Sequence, residues 1–264
     1  MEAHVSGVAL GAAEAIGLQA GLRDAFRLRL PASELPRWRR AVARRGWACA
    51  EVEDAVAATA GGHWVRSEEA GVHVFVVARD AAVAAAVVAL ERDAIAAAGL
   101  RDAADLRALI AAHHALGRHY GYPSCCVAAF VDAHLEVVAG LAPRVGDNLV
   151  AIARAVGRSR LFDARLDVLE SDWLAPQRSP LRPLPCRFDC AASIALADRL
   201  IAAGAGAGDR HGSLGALVAA DGRVHRAESR DAALALAEPA ANAATNPTWA
   251  RRLPLWLPFR APPF

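Results

Sequence analysis

Residues 72–78, VHVFVVA, restrict the fold more than any other stretch, because their apolar side chains scarcely alternate with polar ones. In an extended strand, successive side chains point to opposite faces of the sheet. A strand that is apolar on both faces must be covered on both faces. We therefore expect this strand at the centre of a sheet.

Helix and strand patterns surround this stretch in a regular order. The strand candidates are residues 26–30, 47–53, 63–68 and 72–78. The first of them, FRLRL, alternates apolar and basic side chains, which predicts a half-exposed strand. Residues 31–46 form a helix pattern that ends at a glycine, and an alanine-rich helix pattern begins at Asp80. The predicted order of this α/β unit is β-α-β-β-β-α.

After residue 102 the pattern becomes mainly helical. The predicted helices are residues 102–120, 123–140, 146–158 and 189–208, the last ending in a glycine-rich turn. Residues 213–227 predict a hairpin that turns at Asp221-Gly222, and the tail is rich in proline. The sequence thus predicts an α+β protein with a small N-terminal sheet-containing unit, a mainly helical cysteine-bearing region and a C-terminal hairpin. We place the division at residues 1–100 and 101–264.

The composition limits the partners and the location. The formal net charge is only +2, which disfavours a nucleic-acid partner, and all the basic residues are arginine. The first apolar run has no basic segment before it and is interrupted by Glu14, so a secretory signal is not expected. Residues 81–90 are too few to span a bilayer. We expect a cytoplasmic protein with reduced cysteines and no membrane partner.

Two proline-led motifs contain four of the five cysteines. GYPSCC places Cys125 and Cys126 in what is predicted to be the first turn of a helix. PCRFDC places Cys186 and Cys190 just before another helix, with Asp189 as the expected N-cap. Free N–H groups and the positive end of the helix dipole favour the thiolate at such positions. The thiolate is the form of cysteine that binds metals and attacks electrophiles.

This arrangement predicts a metal site that holds an iron–sulfur cluster or zinc. Adjacent cysteines seldom bind the same ion, so we expect one of Cys125 and Cys126 to join Cys186 and Cys190. His119, just before the Gly-Tyr-Pro turn, is the best candidate for a fourth ligand, and an open fourth position would instead favour substrate chemistry. The other histidines near the motif are His113, His114 and His134.

Other interpretations of the same residues stay open. The four cysteines could be buried small hydrophobic residues, could form disulfides, or could serve a metal-free thiol redox enzyme with Cys125 or Cys126 as nucleophile. The arginine-rich helix with Arg39, Arg40 and Arg44 could contact nucleic acid. Cys49 is expected to lie in a strand as a residue of the hydrophobic core. Whether the protein is an enzyme, and which small molecule or protein is its partner, stays undecided at this point.

The two motifs resemble those of a prokaryotic protein family of unknown function. GYPSCCVAAF and PCRFDCAAS are similar to that family's Gly-Tyr-Pro-x-Cys-Cys and Pro-Cys-x-x-x-Cys-x-x-Ser signatures. The similarity covers about residues 105–200 and leaves the N-terminal unit outside it. The resemblance implies that the four cysteines act as one unit accompanied by Ser193, and it implies no substrate.

Overall fold

A computed structural model gives the fold of the chain. The structure describes residues 12–53, 56–58, 64–66, 72–98, 102–138, 155, 158–160, 162–163, 165–166, 185–204, 215–218, 224–227 and 257–260. The chain divides into two compact units, Met1–Val145 and Gly146–Phe264. Helices accompany small, largely antiparallel sheets, which confirms the α+β class. Residue 100 lies inside the first unit, and a domain boundary there stays a prediction.

The first unit contains five helices and five strands in its described part. The helices are α1 (Ala12–Gln19), α2 (Leu35–Ala43), α3 (Ala81–Ala97), α4 (Ala103–His119) and α5 (Ser124–Val138). The strands are β1 (Ala25–Pro31), β2 (Ala48–Glu51), β3 (Val56–Ala58), β4 (Trp64–Arg66) and β5 (Val72–Ala78). Helix α1 and strand β3 were not expected, and the other elements follow the predicted order.

As predicted, strand β5 is the central strand of its sheet. The sheet has three antiparallel strands in the order β1-β5-β2. Val74 and Val76 are buried in the cluster that contains α3 and α4. Phe75 and Val77 point the other way and pack against residues of α1 and α2. The sheet therefore lies between two helical layers, which explains why this strand is apolar on both faces.

Strand β1 departs from the expectation of a half-exposed strand. The Arg27 side chain is only 9% exposed, and its NH1 atom lies 3.6 Å from Oε2 of the buried Glu91 on α3. The prediction was wrong at Arg27 because alternation shows which residues share a face but not what covers that face. A carboxylate on the overlying helix makes a buried guanidinium tolerable.

Aspartates begin two of the long helices. Asp80 Oδ1 accepts a hydrogen bond of 2.9 Å from the Val83 N–H. Asp102 Oδ1 accepts from the N–H groups of Ala104 and Asp105 at 2.7 and 2.9 Å. These bonds satisfy N–H groups that have no acceptor within the helix, and they fix where α3 and α4 start.

The described elements of the second unit are one helix and four short strands. They are β6 (Phe162–Asp163), α6 (Ala191–Ala202), β7 (Gly215–Val218), β8 (Val224–Ala227) and β9 (Leu257–Arg260). Strands β7 and β8 pair antiparallel, which confirms the hairpin, and β9 joins β7 to β6. The helix expected at residues 146–158, apart from 155 and 158, and the turn at 221–222 lie outside the described residues.

The basic helix α2 uses its aromatic residue inside the fold. Trp38 is 3% exposed and packs in the core beside Val42. Arg39 is exposed and its guanidinium lies 5.8 Å from the centre of the Phe75 ring. Because the tryptophan is buried, it is not placed to stack on a nucleic-acid base. Nucleic-acid binding through Arg39, Arg40 and Arg44 stays a prediction without structural support.

Candidate metal centre

The first cysteine pair lies in the first turn of α5, as predicted. The Pro123 carbonyl accepts hydrogen bonds from the N–H groups of Cys126 and Val127 at 2.9 and 3.0 Å, so the helix begins directly after the proline. Cys126 is 1% exposed, whereas Cys125 is exposed. Their Sγ atoms are 3.9 Å apart. The doublet therefore offers one sheltered sulfur and one that reaches the surface.

Two glycines bring this turn into position. Gly121 has φ +72°, and a Cβ there would lie 2.3 Å from the Leu22 carbonyl oxygen, so no other residue fits without strain. A Cβ on Gly117 of α4 would lie 2.3 Å from a methyl group of Val127. Helices α4 and α5 thus approach each other closely at Val127, one residue after the cysteine doublet. The backbone conformation at Gly121 explains why the Gly-Tyr-Pro motif begins with glycine.

A buried hydrogen bond anchors the end of α4 just before the doublet. The Tyr120 hydroxyl donates to Glu91 Oε1 at 2.5 Å, and both residues are buried. Burial raises the pKa of Tyr120 well above its ordinary value, and the Glu91 carboxylate raises it further. Tyr120 therefore stays neutral and remains the donor. The bond connects the Gly-Tyr-Pro turn to α3, the helix that also faces Arg27.

The second cysteine pair surrounds the start of α6. Cys190 is 5% exposed and is itself the N-cap residue, because its carbonyl accepts the first hydrogen bond of the helix from the Ile194 N–H at 2.9 Å. Its side chain makes no capping bond. The expectation that Asp189 caps this helix was wrong. Asp189 instead binds the guanidinium of Arg187 and accepts from the Arg160 N–H at 3.1 Å.

The loop between Cys186 and Cys190 is held by these contacts. The Arg187 NH2 group donates to Asp189 Oδ2 at 2.9 Å, and this bond lowers the pKa of the Asp189 carboxyl. The same bond raises the pKa of Arg187, and the negative charges of Cys186 and Cys190 add to the effect. Phe188 is 1% exposed, and its carbonyl accepts from the Asp163 N–H at 3.0 Å. A guanidinium thus accompanies the two sulfurs in a fixed loop.

The four cysteines of the two motifs come together. Each offers one Sγ, and the four Sγ atoms of Cys125, Cys126, Cys186 and Cys190 all lie within 4.8 Å of one another. Such a group could hold a metal ion. Both sulfurs of the doublet belong to it, although adjacent cysteines were expected to supply only one ligand. The four residues range from exposed Cys125 through half-buried Cys186 to buried Cys126 and Cys190.

The candidate histidines lie elsewhere in the described structure. Among the described residues, the group of possible ligands consists of the four cysteines and includes no histidine. His119 Nδ1 lies 3.2 Å from Asp24 Oδ2, at the end of α4. A role for His119 as a ligand stays a prediction.

Two other histidines form a partly buried aromatic cluster that the sequence did not reveal. The rings of His113 and His134 meet edge to face with centroids 4.9 Å apart, and Phe130 packs against both. Burial lowers the pKa of His113 to about 3, with smaller contributions from His134, Arg27 and His114. Burial also lowers the pKa of His134. These imidazoles are therefore neutral packing residues at ordinary pH.

The fifth cysteine is separate from this group. Cys49 lies in β2 and is half-buried against the cluster that contains Trp38 and Phe75. Burial raises the pKa of its thiol, which a smaller effect of Arg39 opposes. Its placement in a strand agrees with the expectation, and it provides an internal control for experiments on the other four.

The whole chain has no recognisable counterpart among the known proteins compared with it. No protein-family model, no curated protein and no solved structure matches it. In the described part of the chain, no helix combines the length and the hydropathy needed to cross a membrane.

Proposed function

We propose that the protein binds a single metal ion through Cys125, Cys126, Cys186 and Cys190, and that the ion is zinc. The observation that carries this proposal is the approach of all four Sγ atoms to within 4.8 Å. Thiolate ligands select zinc, copper(I) and iron–sulfur clusters, and zinc is the commonest metal in four-cysteine structural sites. Two of these cysteines lie in the first turn of α5, and the other two flank Arg187 just before α6.

The sulfur spacing favours one ion over a cluster. Tetrahedral zinc with Zn–S bonds of about 2.3 Å places its sulfurs roughly 3.8 Å apart, and the Cys125–Cys126 separation of 3.9 Å agrees with that value. In a four-iron cluster each thiolate binds a different iron, so the irons and sulfides hold the cysteine sulfurs farther apart. A mononuclear zinc site is the better fit, and an iron–sulfur cluster is the alternative.

Such a site would join two segments that are about sixty residues apart in the sequence. Metal binding of this kind contributes directly to folding, because the ligand set exists only in the folded chain. None of the five cysteines forms a disulfide, which suits a reducing compartment, and we place the protein in the cytoplasm on that basis. The resemblance of the two motifs to a prokaryotic family stays a prediction.

Elemental analysis of the purified protein tests the proposal. Wild type, Cys186→Ala and the control Cys49→Ala are purified without oxygen and analysed for zinc and iron. We expect stoichiometric zinc in wild type and in Cys49→Ala, and loss of zinc in Cys186→Ala. Metal-free wild type that retains no added zinc or cobalt would refute the proposal, and stoichiometric iron with visible absorption would replace zinc by iron.

The exposed thiol of Cys125 supports one further candidate function. A metal-free thiol enzyme requires a reachable thiolate with a second cysteine nearby to resolve an intermediate, and Cys126 Sγ lies 3.9 Å away. This candidate predicts metal-free protein that is alkylated rapidly at mildly acidic pH. The elemental analysis therefore separates the two candidates before any substrate is known.

A further inference from the structure

The four sulfurs of the proposed site differ in their access to solvent, and this difference has a chemical consequence. We propose that Cys125 is a displaceable ligand, so that a small-molecule thiol takes its place on the metal while Cys126, Cys186 and Cys190 remain bound. The inference rests on the proposed function, since it requires the metal. It assigns to the site a substrate class, a thiol, and the position at which that substrate binds.

Three of the four ligands are held by the surrounding structure. The Cys126 N–H donates to Pro123, and the next residue, Val127, packs directly against Gly117. Cys190 is fixed at the start of α6 by the bond from its N–H to the Arg187 carbonyl at 3.1 Å. Because both residues are buried, rotating either side chain away from a bound metal would push its sulfur into packed atoms.

Cys186 is held less directly than the other two. It is half-buried and precedes Arg187, whose guanidinium is bound to Asp189. The buried Phe188 fixes the same loop through the hydrogen bond from the Asp163 N–H. The loop therefore resists a shift of this sulfur as well.

Cys125 is different because both it and the preceding Ser124 are exposed. Rotation about its χ1 bond carries the sulfur into water and leaves the α5 backbone in place. The departure of Cys125 uncovers the metal on the solvent side and leaves a three-thiolate site with an open position, the arrangement that zinc uses for chemistry on substrates. The start of α5 also favours an anionic ligand at that position.

The exchange is balanced without any oxidant or reductant. The incoming thiol gives up its proton as its sulfur bonds to the metal, the bond from the metal to Cys125 breaks, and the released thiolate takes up a proton. The charge and the oxidation state of the site are the same before and after the exchange. A thiol is thereby bound as a thiolate at neutral pH, which is the activated form for attack on an electrophile.

Cobalt(II) in place of zinc makes the exchange visible, because its visible absorption reports the number of sulfur ligands. We compare wild type, Cys125→Ala and the matched variant Cys190→Ala, each checked by circular dichroism. We expect Cys125→Ala to keep stoichiometric cobalt and 2-mercaptoethanol to shift its spectrum to that of wild type. We expect Cys190→Ala to lose the ion and to regain no such spectrum.

Other outcomes separate this inference from the proposed function. If wild type binds neither cobalt nor zinc, both fail. If wild type binds cobalt, three results would refute only the displaceable ligand. Cys125→Ala could lose cobalt as fully as Cys190→Ala, or it could keep cobalt without a spectral response to 2-mercaptoethanol. Alternatively, 2-mercaptoethanol could restore the wild-type spectrum in Cys190→Ala as well as in Cys125→Ala.

Alkylation of the zinc-loaded wild type gives a second measurement that needs no variant. Less than one equivalent of iodoacetamide is added, and the modified cysteine is identified by peptide mass spectrometry. Its carbon bonds to the attacking sulfur as iodide leaves. We expect Cys125 to be modified first among the four ligands. First modification of Cys126, Cys186 or Cys190 would overturn the inference.

Discussion

The close approach of α4 to α5 makes Gly117→Ala an informative substitution. A Cβ at residue 117 would lie 2.3 and 2.9 Å from the two methyl carbons of Val127, whereas carbon atoms in contact prefer about 3.5–4.0 Å. Valine in a helix has one strongly preferred χ1 rotamer, so the methyl groups cannot turn aside. The helices must separate, and this shift acts one residue from Cys126.

Two opposing effects set the magnitude. Alanine improves helix propensity over glycine by about 1 kcal/mol, whereas overpacking of this kind costs about 1–3 kcal/mol. We expect a net loss of up to about 2 kcal/mol in the free energy of unfolding, together with weaker cobalt binding because the doublet moves. Urea denaturation followed by circular dichroism measures the first effect, and cobalt titration measures the second.

The double variant Gly117→Ala/Val127→Ala provides the control. Removing both methyl groups leaves room for the new Cβ, so the double variant should lose less stability than the sum of the single variants, with a coupling of about 0.5–3 kcal/mol. A Gly117→Ala variant that is about 1 kcal/mol more stable than wild type would show that only propensity matters at this position. Additive single effects would contradict the contact.

Three further predictions concern the structure around the site. Gly121→Ala, with φ +72° and the Leu22 carbonyl oxygen 2.3 Å from the new Cβ, should destabilise the protein by more than about 1 kcal/mol in urea denaturation, and a neutral effect would contradict the strain. Tyr120→Phe removes the donor to the buried Glu91 and should cost about 1–3 kcal/mol in the same assay, whereas an unchanged midpoint would show that this bond contributes nothing. His113 has a folded-state pKa of about 3, whereas its ordinary value is 6.5, so below pH 6.5 the unfolded chain binds a proton that the folded chain does not. Wild-type stability should therefore fall as the pH drops from 6.5 towards 3. His113→Gln should reduce that slope by up to about 1.4 kcal/mol per pH unit. Equal slopes in the two proteins would show that His113 does not titrate as described.

The sequence predicts those parts of the fold that depend on local pattern. The apolar run of β5 requires cover on both faces, and the structure supplies a helical layer on each side. Asp80 lies just before an alanine-rich segment, and it caps α3. The two proline-led motifs place their cysteines at the starts of helices. This placement is predictable because the preference of proline for the first turn of a helix is local.

The remaining features depend on contacts that the local sequence pattern does not specify. The Arg27 side chain is buried because it pairs with Glu91 on α3, and the sequence of β1 does not predict that partner. Asp189 fails to cap α6 because Arg187 and the Arg160 N–H occupy its carboxylate. In both cases the hydrogen-bonding or charged partner of the side chain, which the pattern does not specify, decides its role.

The adjacency of the two cysteines explains the asymmetry of the proposed metal site. Consecutive residues in a helix point about 100° apart around its axis, so a helix that buries the face of Cys126 directs Cys125 toward solvent. At the first turn both sulfurs can still approach the same point, as their separation of 3.9 Å shows. Two cysteines spaced by three or four residues would share one face and one degree of burial. A doublet instead yields one ligand fixed by packing and one that can leave, and this is the arrangement that a site needs if it is to hold its metal while exchanging a ligand.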